Sequence, residues 1–504
     1  MSDDAHDELA REAARREARA KEGGGPARSA RHKRLGRLLL RERIDALVDP
    51  GTFVELGQHV VHRHADASEA LAANQHPGDG VVCGMATIDG APAAVWGHDP
   101  TVLRGALGIA ASRKVTKLLD LAYDRSAAVV TLADSDGVRV EEGVDAIDAY
   151  GEIIRRVIRL RGRAPQITLA CGLCVGAAAY AAALGDWVGM VDGQSYMFIT
   201  GPKVTKVVTG EDVELADLGG PAMHAKHTGQ CHAVLPTEAE GIAWVRRVLS
   251  YAYTHNEGTG DDVERAVPEL TTIIPTADRR AYDMRKVVAA LADHGSTLEL
   301  SPRFAPNLLT TLARLGGRSV AIVASQPMVL AGCLDADASR KGAHFVRWSS
   351  ARGLPIVTLV DVPGYLPGKK QEQGGIIPFG AELLAAYGEA RVPRVCLVVR
   401  KSFGGASVLS FSADVRLGLP TARVGPMGAD AALEVALGPE VDAGPEAQAA
   451  RAEKRAAWLA RHDHAWAPAE AGYVDRVVQN ADARREIIRA VRALDVPGKG
   501  APLG

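Results

Sequence analysis

Two glycine-rich turns, Cys171–Tyr180 (CGLCVGAAAY) and Lys401–Ser410 (KSFGGASVLS), carry the clearest capacity for chemistry in this sequence. Each follows a β-forming run and opens a helix of small residues. Backbone N–H groups at such a turn lack intrahelical partners and lie at the positive end of the helix dipole, a geometry that stabilises an oxyanion. Glycine suits it because a side chain would keep an approaching carbonyl off the backbone. One such turn is a weak signal, since any strand–glycine–helix unit looks similar. Two at matching places point to one site with two oxyanion holes, hence two carbonyl-bearing reactants.

Other constellations do not form. There is no GxxxxGK[ST] or clear GxGxxG nucleotide loop, and no HExxH. Cys171 and Cys174 make one CxxC without the second pair that structural zinc requires, so they read as small buried thiols. His224, His227 and His232 read as loop composition, and no metal site is expected. No convincing Ser-His-Asp set is present. A site without an obvious side-chain acid or base suits chemistry in which the reactants supply the base and the protein supplies N–H groups.

The elements that must position these turns repeat along the chain. AVVTLADSDG (Ala128–Gly137) resembles PIVTLVDVPG (Pro355–Gly364); AYGE follows at Ala149–Glu152 and Ala386–Glu389; then come the two turns, and a Gly-Pro at Gly201-Pro202 and Gly425-Pro426. The offsets are about 227, 237, 229 and 224. Four landmarks in one order at nearly constant offset predict two copies of one α/β fold, at a period too long for a solenoid. Residues 80–99 read as a hairpin turning at Asp89-Gly90, and 167–185 as a buried strand–turn–helix. Thr254–Ala281 is turn-rich and reads as a linker. The predicted organisation is a basic arm at 1–30, with a flexible break at Gly23–Pro26, a first domain at 31–265 and a second at 280–504.

Composition sets the outer bounds. In 504 residues, apolar types make up 47% and aromatics 5%, with Gly at 53, enough for large cores packed through small side chains. Lys+Arg 59 against Asp+Glu 61 gives a net charge of −2, which argues against a general nucleic-acid binder. Six cysteines suggest a reduced, cytoplasmic protein rather than a disulfide scaffold. No secretory signal is apparent, and no membrane partner or membrane-spanning segment is expected.

Ordered matches along roughly 35–494 resemble one family. They include RERIDALVDPGTFVEL (Arg41–Leu56), YGEI (Tyr150–Ile153), MFITGP (Met197–Pro202), VTGEDV (Val208–Val213) and DLGG (Asp217–Gly220). In the second half stand YDMR (Tyr282–Arg285), FAPN (Phe304–Asn307), QPMVLAGCLDADASRK (Gln326–Lys341), VDVPGYLPG (Val360–Gly368), RKSFGGA (Arg400–Ala406), PMGA (Pro426–Ala429) and AEAGYVDRVV (Ala469–Val478). The chain is similar to the carboxyltransferase (β) subunits of biotin-dependent acyl-CoA carboxylases, such as propionyl-CoA and acetyl-CoA carboxylase.

That resemblance implies tandem crotonase-like domains, a homohexamer, and transfer of carboxylate from carboxybiotin to the α-carbon of an acyl-CoA. By position, the N–H groups of Gly176 and Ala177 would hold the thioester enolate oxygen, and those of Gly405 and Ala406 the biotin ureido oxygen. Lys33, Arg34 and Arg37 would attract the CoA phosphates. Biotin would arrive on a separate biotinylated α subunit, because neither an ATP-grasp domain nor a Met-Lys-Met biotinylation motif is found in this sequence. The chain departs from the family pattern at Ala177 in the first turn, at SDGVR (Ser135–Arg139), and at Ser407-Val408 where Tyr-Asp is usual; the family's Asp lines the acyl pocket. Lys369-Lys370 and Pro378-Phe379 also differ. A member repurposed as a decarboxylase or for an unusual substrate, or a non-catalytic β-type partner, remain as alternatives.

Overall fold

The hairpin predicted at Asp89-Gly90 begins the first of two sheets. Strands β2 (Val81–Ile88) and β3 (Ala91–His98) pair antiparallel across it, with Asp89 and Gly90 both at positive φ, the backbone that a two-residue turn of this twist requires. In this computed structural model, residues 2–62, 75–253, 261–277, 280–438 and 444–495 are described, and the chain divides into two units, Met1–Tyr253 and Thr254–Gly504.

In the first unit β1 (Val54–Glu55) borders the hairpin. Strands β4 (Ala128–Ser135), β5 (Gln166–Val175), β6 (Trp187–Val191) and β8 (Ala233–Leu235) continue parallel from β3, in the order β1-β2-β3-β4-β5-β6-β8, with β7 (Tyr196–Phe198) on β5. The parallel strands are nearly uninterrupted apolar runs because helices cover the sheet. The crossovers are α4 (Ile109–Arg125), α5 (Gly143–Leu160) and α6 (Ala177–Leu184). Tyr150, Ile153 and Val157 lie on one face of α5, where the 3.6-residue period places them, and are buried.

The second unit repeats that path. Its strands are β9 (Leu298–Leu300), β10 (Leu308–Leu315), β11 (Arg318–Ser325), β12 (Ile356–Val362), β13 (Arg394–Phe403), β14 (Val415–Gly418), β15 (Arg423–Gly425) and β16 (Arg476–Val477), in the order β16-β14-β13-β12-β11-β10-β9, with β15 on β13 as β7 lies on β5. The likeness extends to irregularities. The β4–β5 register breaks between Ala133 and Ser135, and the β12–β13 register breaks between Val360 and Val362, β12 being Ile356–Val362. Leu103-Arg104 and Leu330-Ala331 are left-handed pairs, each followed by a glycine. A Cβ on Gly105 would lie 2.2 Å from the Asp134 carbonyl oxygen, and one on Gly332 2.5 Å from that of Asp361, so both glycines are required by a backbone approach. The α/β class and the duplication stand as the sequence suggested.

Two expectations are corrected. From Asp261 onward, the stretch read as a linker belongs to the second unit: Val267, Leu270 and Ile274 are buried in its core. The Gly23–Pro26 break is a docking point. Gly24 N–H donates to Thr101 Oγ1 at 2.9 Å, and a Cβ on Gly24 would lie 2.0 Å from the Thr101 carbonyl oxygen. Helices α1 (Ser2–Lys21) and α2 (Pro26–Arg34) flank it. No described helix is long and apolar enough to cross a membrane.

Candidate active site

Each sheet ends in the turn singled out above. In the first unit β5 stops at Val175, and Gly176 takes φ 59 and ψ −120 as the N-cap of α6. Its carbonyl accepts from Tyr180 N–H, while Ala177, Ala178 and Ala179, in the first turn of α6, have no backbone acceptor within the helix. The N–H of Gly176 is already used: it donates to the Phe198 carbonyl at 3.0 Å, extending the β5–β7 pairing. In this structure the Gly176 N–H is thus engaged within the sheet, whereas that of Ala177 beside it has no partner within the helix.

Strand register relates the two turns residue by residue. Ser135 pairs with Cys174, and at the equivalent break Val362 pairs with Ser402. Two residues later stand Gly176 and Gly404, both at φ 59. Gly405 and Ala406 thus correspond to Ala177 and Ala178, one step along from the pair read from the sequence. Gly405 is exposed, in a 3-10 turn at Gly404–Ser407 that leads into α7 (Val408–Phe411).

Beside Gly405 opens a cavity of about 700 Å³, walled by Phe411, Met427, Trp458, Pro468 and Tyr473 and floored by Gly404, Gly405 and Ser407. Its mainly apolar wall with a few polar groups is the usual make-up of a small-molecule site. A Cβ on Gly405 would meet nothing nearer than the Tyr365 ring at 3.7 Å, so the backbone lies open to a planar polar group. Val408 is fully buried and does not line this cavity, while its neighbour Ser407 does. The first helical turn directs the valine side chain into the core.

Beneath each turn lies a buried carboxylate that the sequence reading passed over. Asp134 accepts from Arg43 Nη1 at 3.1 Å, and Arg43 also makes a two-point contact with Glu238, at 2.7 and 2.9 Å. Asp361 accepts from Arg400 Nε at 2.8 Å, Tyr282 Oη at 2.9 Å and Lys401 N–H at 3.2 Å. Buried charges of this kind persist only when paired and hydrogen-bonded. The signal was present: both aspartates occupy the same place in the repeated TLAD and TLVD. The second-unit arginine sits on β13 itself. In the first unit it comes from α3 (Leu40–Leu47), and Gly172 leaves the room: a Cβ there would lie 1.9 Å from Asp134 Oδ1.

The basic residues proposed from the sequence separate. Lys33 is paired with Glu42 at 2.5 Å, and Arg37 is half-buried, donating to the Gln194 carbonyl at 3.2 Å. Arg34 is exposed at the end of α2. Cys171 and Cys174 are buried, and burial pushes both thiols up to about 12. His224 bonds to the Met197 carbonyl, and His232 accepts from Val188 N–H. Among the described residues, no group of His, Cys, Asp and Glu is arranged to hold a metal ion.

Residues 31–496 match the carboxyl transferase domain. The chain is 41% identical over 490 residues to the propionyl-CoA carboxylase beta chain of Roseobacter denitrificans, covering 95% of each. It is 40% identical over 477 residues to the mitochondrial propionyl-CoA carboxylase beta chain of Homo sapiens, covering 92% of this chain and 87% of that one. A hexameric transcarboxylase 12S solved with methylmalonyl-coenzyme A and methylmalonic acid bound superimposes with a TM-score of 0.92 at 37% identity, covering 96% of this chain and 94% of that one. A single-chain, multi-domain long-chain acyl-CoA carboxylase gives 0.83 at 28%, covering 95% of this chain and 48% of that one. The two sheets are accordingly the duplicated crotonase-like fold. With the domain matched over nearly its whole length, the chain belongs to the carboxyl transferase family, as a carboxyltransferase of the biotin-dependent acyl-CoA carboxylases.

Proposed function

We propose that the chain carboxylates an acyl-CoA by holding its thioester oxygen at Ala177 and Ala178 N–H and the ureido oxygen of biotin at Gly405 and Ala406. The observation that carries this is the matched pair of turns. Twin strand ends present twin backbone donors, one pair for each carbonyl-bearing reactant. Carboxybiotin, when bound, supplies CO2 and the base that removes the α-proton. The first pair of N–H groups stabilises negative charge on the thioester oxygen as that proton leaves. The second pair stabilises charge on the cyclic urea after its carboxyl group has gone. Both act as preorganised dipoles that need no reorganisation during reaction.

Arg34, exposed and with no carboxylate partner among the described residues, is the leading candidate to meet a CoA phosphate, with Lys33 able to exchange Glu42 for it. Val408, buried beneath the second turn and outside its cavity, would act on the reactants only through the position of that turn. The propionyl-CoA carboxylase relatives support a short acyl class and the hexameric transcarboxylase supports a hexameric core; the reading adds a separate biotinylated subunit and a cytosolic location.

The test is bicarbonate fixation by the full chain with ATP and a biotinylated α subunit, over acetyl-, propionyl-, longer and branched acyl-CoAs. Carboxylated product with at least one is expected. No product across the panel, with an α subunit competent toward a control β chain, overturns the proposal.

A further inference from the structure

Beneath the second turn, three serine hydroxyls and one phenol form a chain. Ser402 Oγ donates to Ser407 Oγ at 3.1 Å, and Ser410 Oγ donates to the Ser407 carbonyl at 2.8 Å. Ser410 Oγ also lies 3.0 Å from Tyr473 Oη. Either hydroxyl can donate in that contact, and Ser402 Oγ also lies 3.2 Å from Ser410 Oγ; with the Ser410 hydrogen on the Ser407 carbonyl, which can only accept, Tyr473 is the donor to Ser410 Oγ. The three serines are buried, while Ser407 and Tyr473 also face the cavity beside Gly405. Arg416 lies 4.9 Å from the centre of the Tyr473 ring, and Phe411 meets its edge at 5.6 Å.

The first unit is an internal control. By strand register Ser402 corresponds to Cys174, and by the same count Ser407 and Ser410 correspond to Ala179 and Ala182. All three are buried apolar packing. The same fold therefore closes the same strand end without any hydroxyl, so the chain of hydroxyls is not a requirement of folding. It occurs only at the turn bordered by the cavity.

We propose that Tyr473, acting through Ser410 and Ser407, is a positioning residue that fixes the Gly404–Ser407 turn, and so Gly405, against the reactant held in the second hole. This rests on the assignment of that turn to biotin. A hydrogen bond of this kind contributes about 0.5–1.5 kcal/mol net, so its loss is worth up to about tenfold.

The experiment measures carboxyl transfer from methylmalonyl-CoA to free biotin by the full chain, with thermal melting of each preparation. Tyr473→Phe keeps the ring and removes the proton. The triple variant S402C/S407A/S410A installs the first unit's residues. Both are expected to melt near wild type, to raise KM for biotin or lower kcat by about three- to tenfold, and to leave KM for methylmalonyl-CoA unchanged. Unaltered kinetics in both variants overturn the proposal, as does an equal rise in both KM values with a lowered melting temperature. Gly405→Val separates the two levels: if it remains active, the assignment of the turn to biotin fails, whatever Tyr473→Phe does.

Discussion

Gly405→Val places a branched side chain on the exposed face of the second turn, where a reactant carbonyl must reach the backbone. The structure makes this a clean perturbation. Gly405 is not among the glycines at positive φ, and a Cβ there is in ordinary contact with the Tyr365 ring at 3.7 Å. The folding cost is therefore about 1 kcal/mol or less, chiefly from the valine's restricted χ1. Its neighbour behaves oppositely. Gly404 has φ 59, with a Cβ position 3.1 Å from the Pro426 carbonyl oxygen, so Gly404→Ala costs about 1–2 kcal/mol in backbone strain. Losing an oxyanion donor lowers the rate by about 10²–10³. Initial rates of transfer between methylmalonyl-CoA and free biotin, with melting curves on the same samples, read both effects. Gly405→Val should melt with wild type and be at least about a hundredfold slower, while Gly404→Ala should melt lower. A Gly405→Val protein within twofold of the wild-type rate would refute the assignment of this turn.

Gly172→Ala should be far worse for stability than its size suggests. The new methyl would displace Asp134 from Arg43, and breaking a buried pair of this kind costs about 3–5 kcal/mol; soluble yield and urea unfolding measure it. The acid limb of the stability curve should carry a signature of His98, which burial pushes down to about 4. The unfolded chain binds this proton near pH 6.5 and the folded chain does not, so stability falls as pH drops from 6.5 towards 4, by about 3 kcal/mol in full. His98→Phe should flatten that fall, and an unchanged slope in urea titrations at pH 7, 5.5 and 4.5 would count against it. Gly24→Ala should free the N-terminal arm from Thr101, seen as faster limited proteolysis before Leu35 with the rest of the chain intact.

What was legible in the sequence was what local periodicity and repetition encode. The Asp89-Gly90 hairpin, the two strand–glycine–helix turns and the duplication all rest on spacing along the chain. What escaped depends on which segments meet. Nothing near Gly176 indicates that residues 196–198 return beside β5 and take its N–H. Val267, Leu270 and Ile274 sit among polar and turn-forming neighbours, which hid a buried segment inside an apparent linker. The three glycines at Gly23–Gly25 suggested freedom, whereas Gly24 is there because Thr101 approaches too closely for a side chain. Arg43, Asp134 and Glu238 are far apart in sequence, and only the repeated TLAD and TLVD hinted that the two aspartates share a task.

The most direct measurement is a structure of the full chain with an acyl-CoA and free biotin bound. The thioester oxygen should lie about 2.7–3.1 Å from Ala177 and Ala178 N, and the ureido oxygen at the same range from Gly405 and Ala406 N. Either carbonyl resting on a side chain or on another part of the fold, with both turns left unengaged, would contradict the two-hole account.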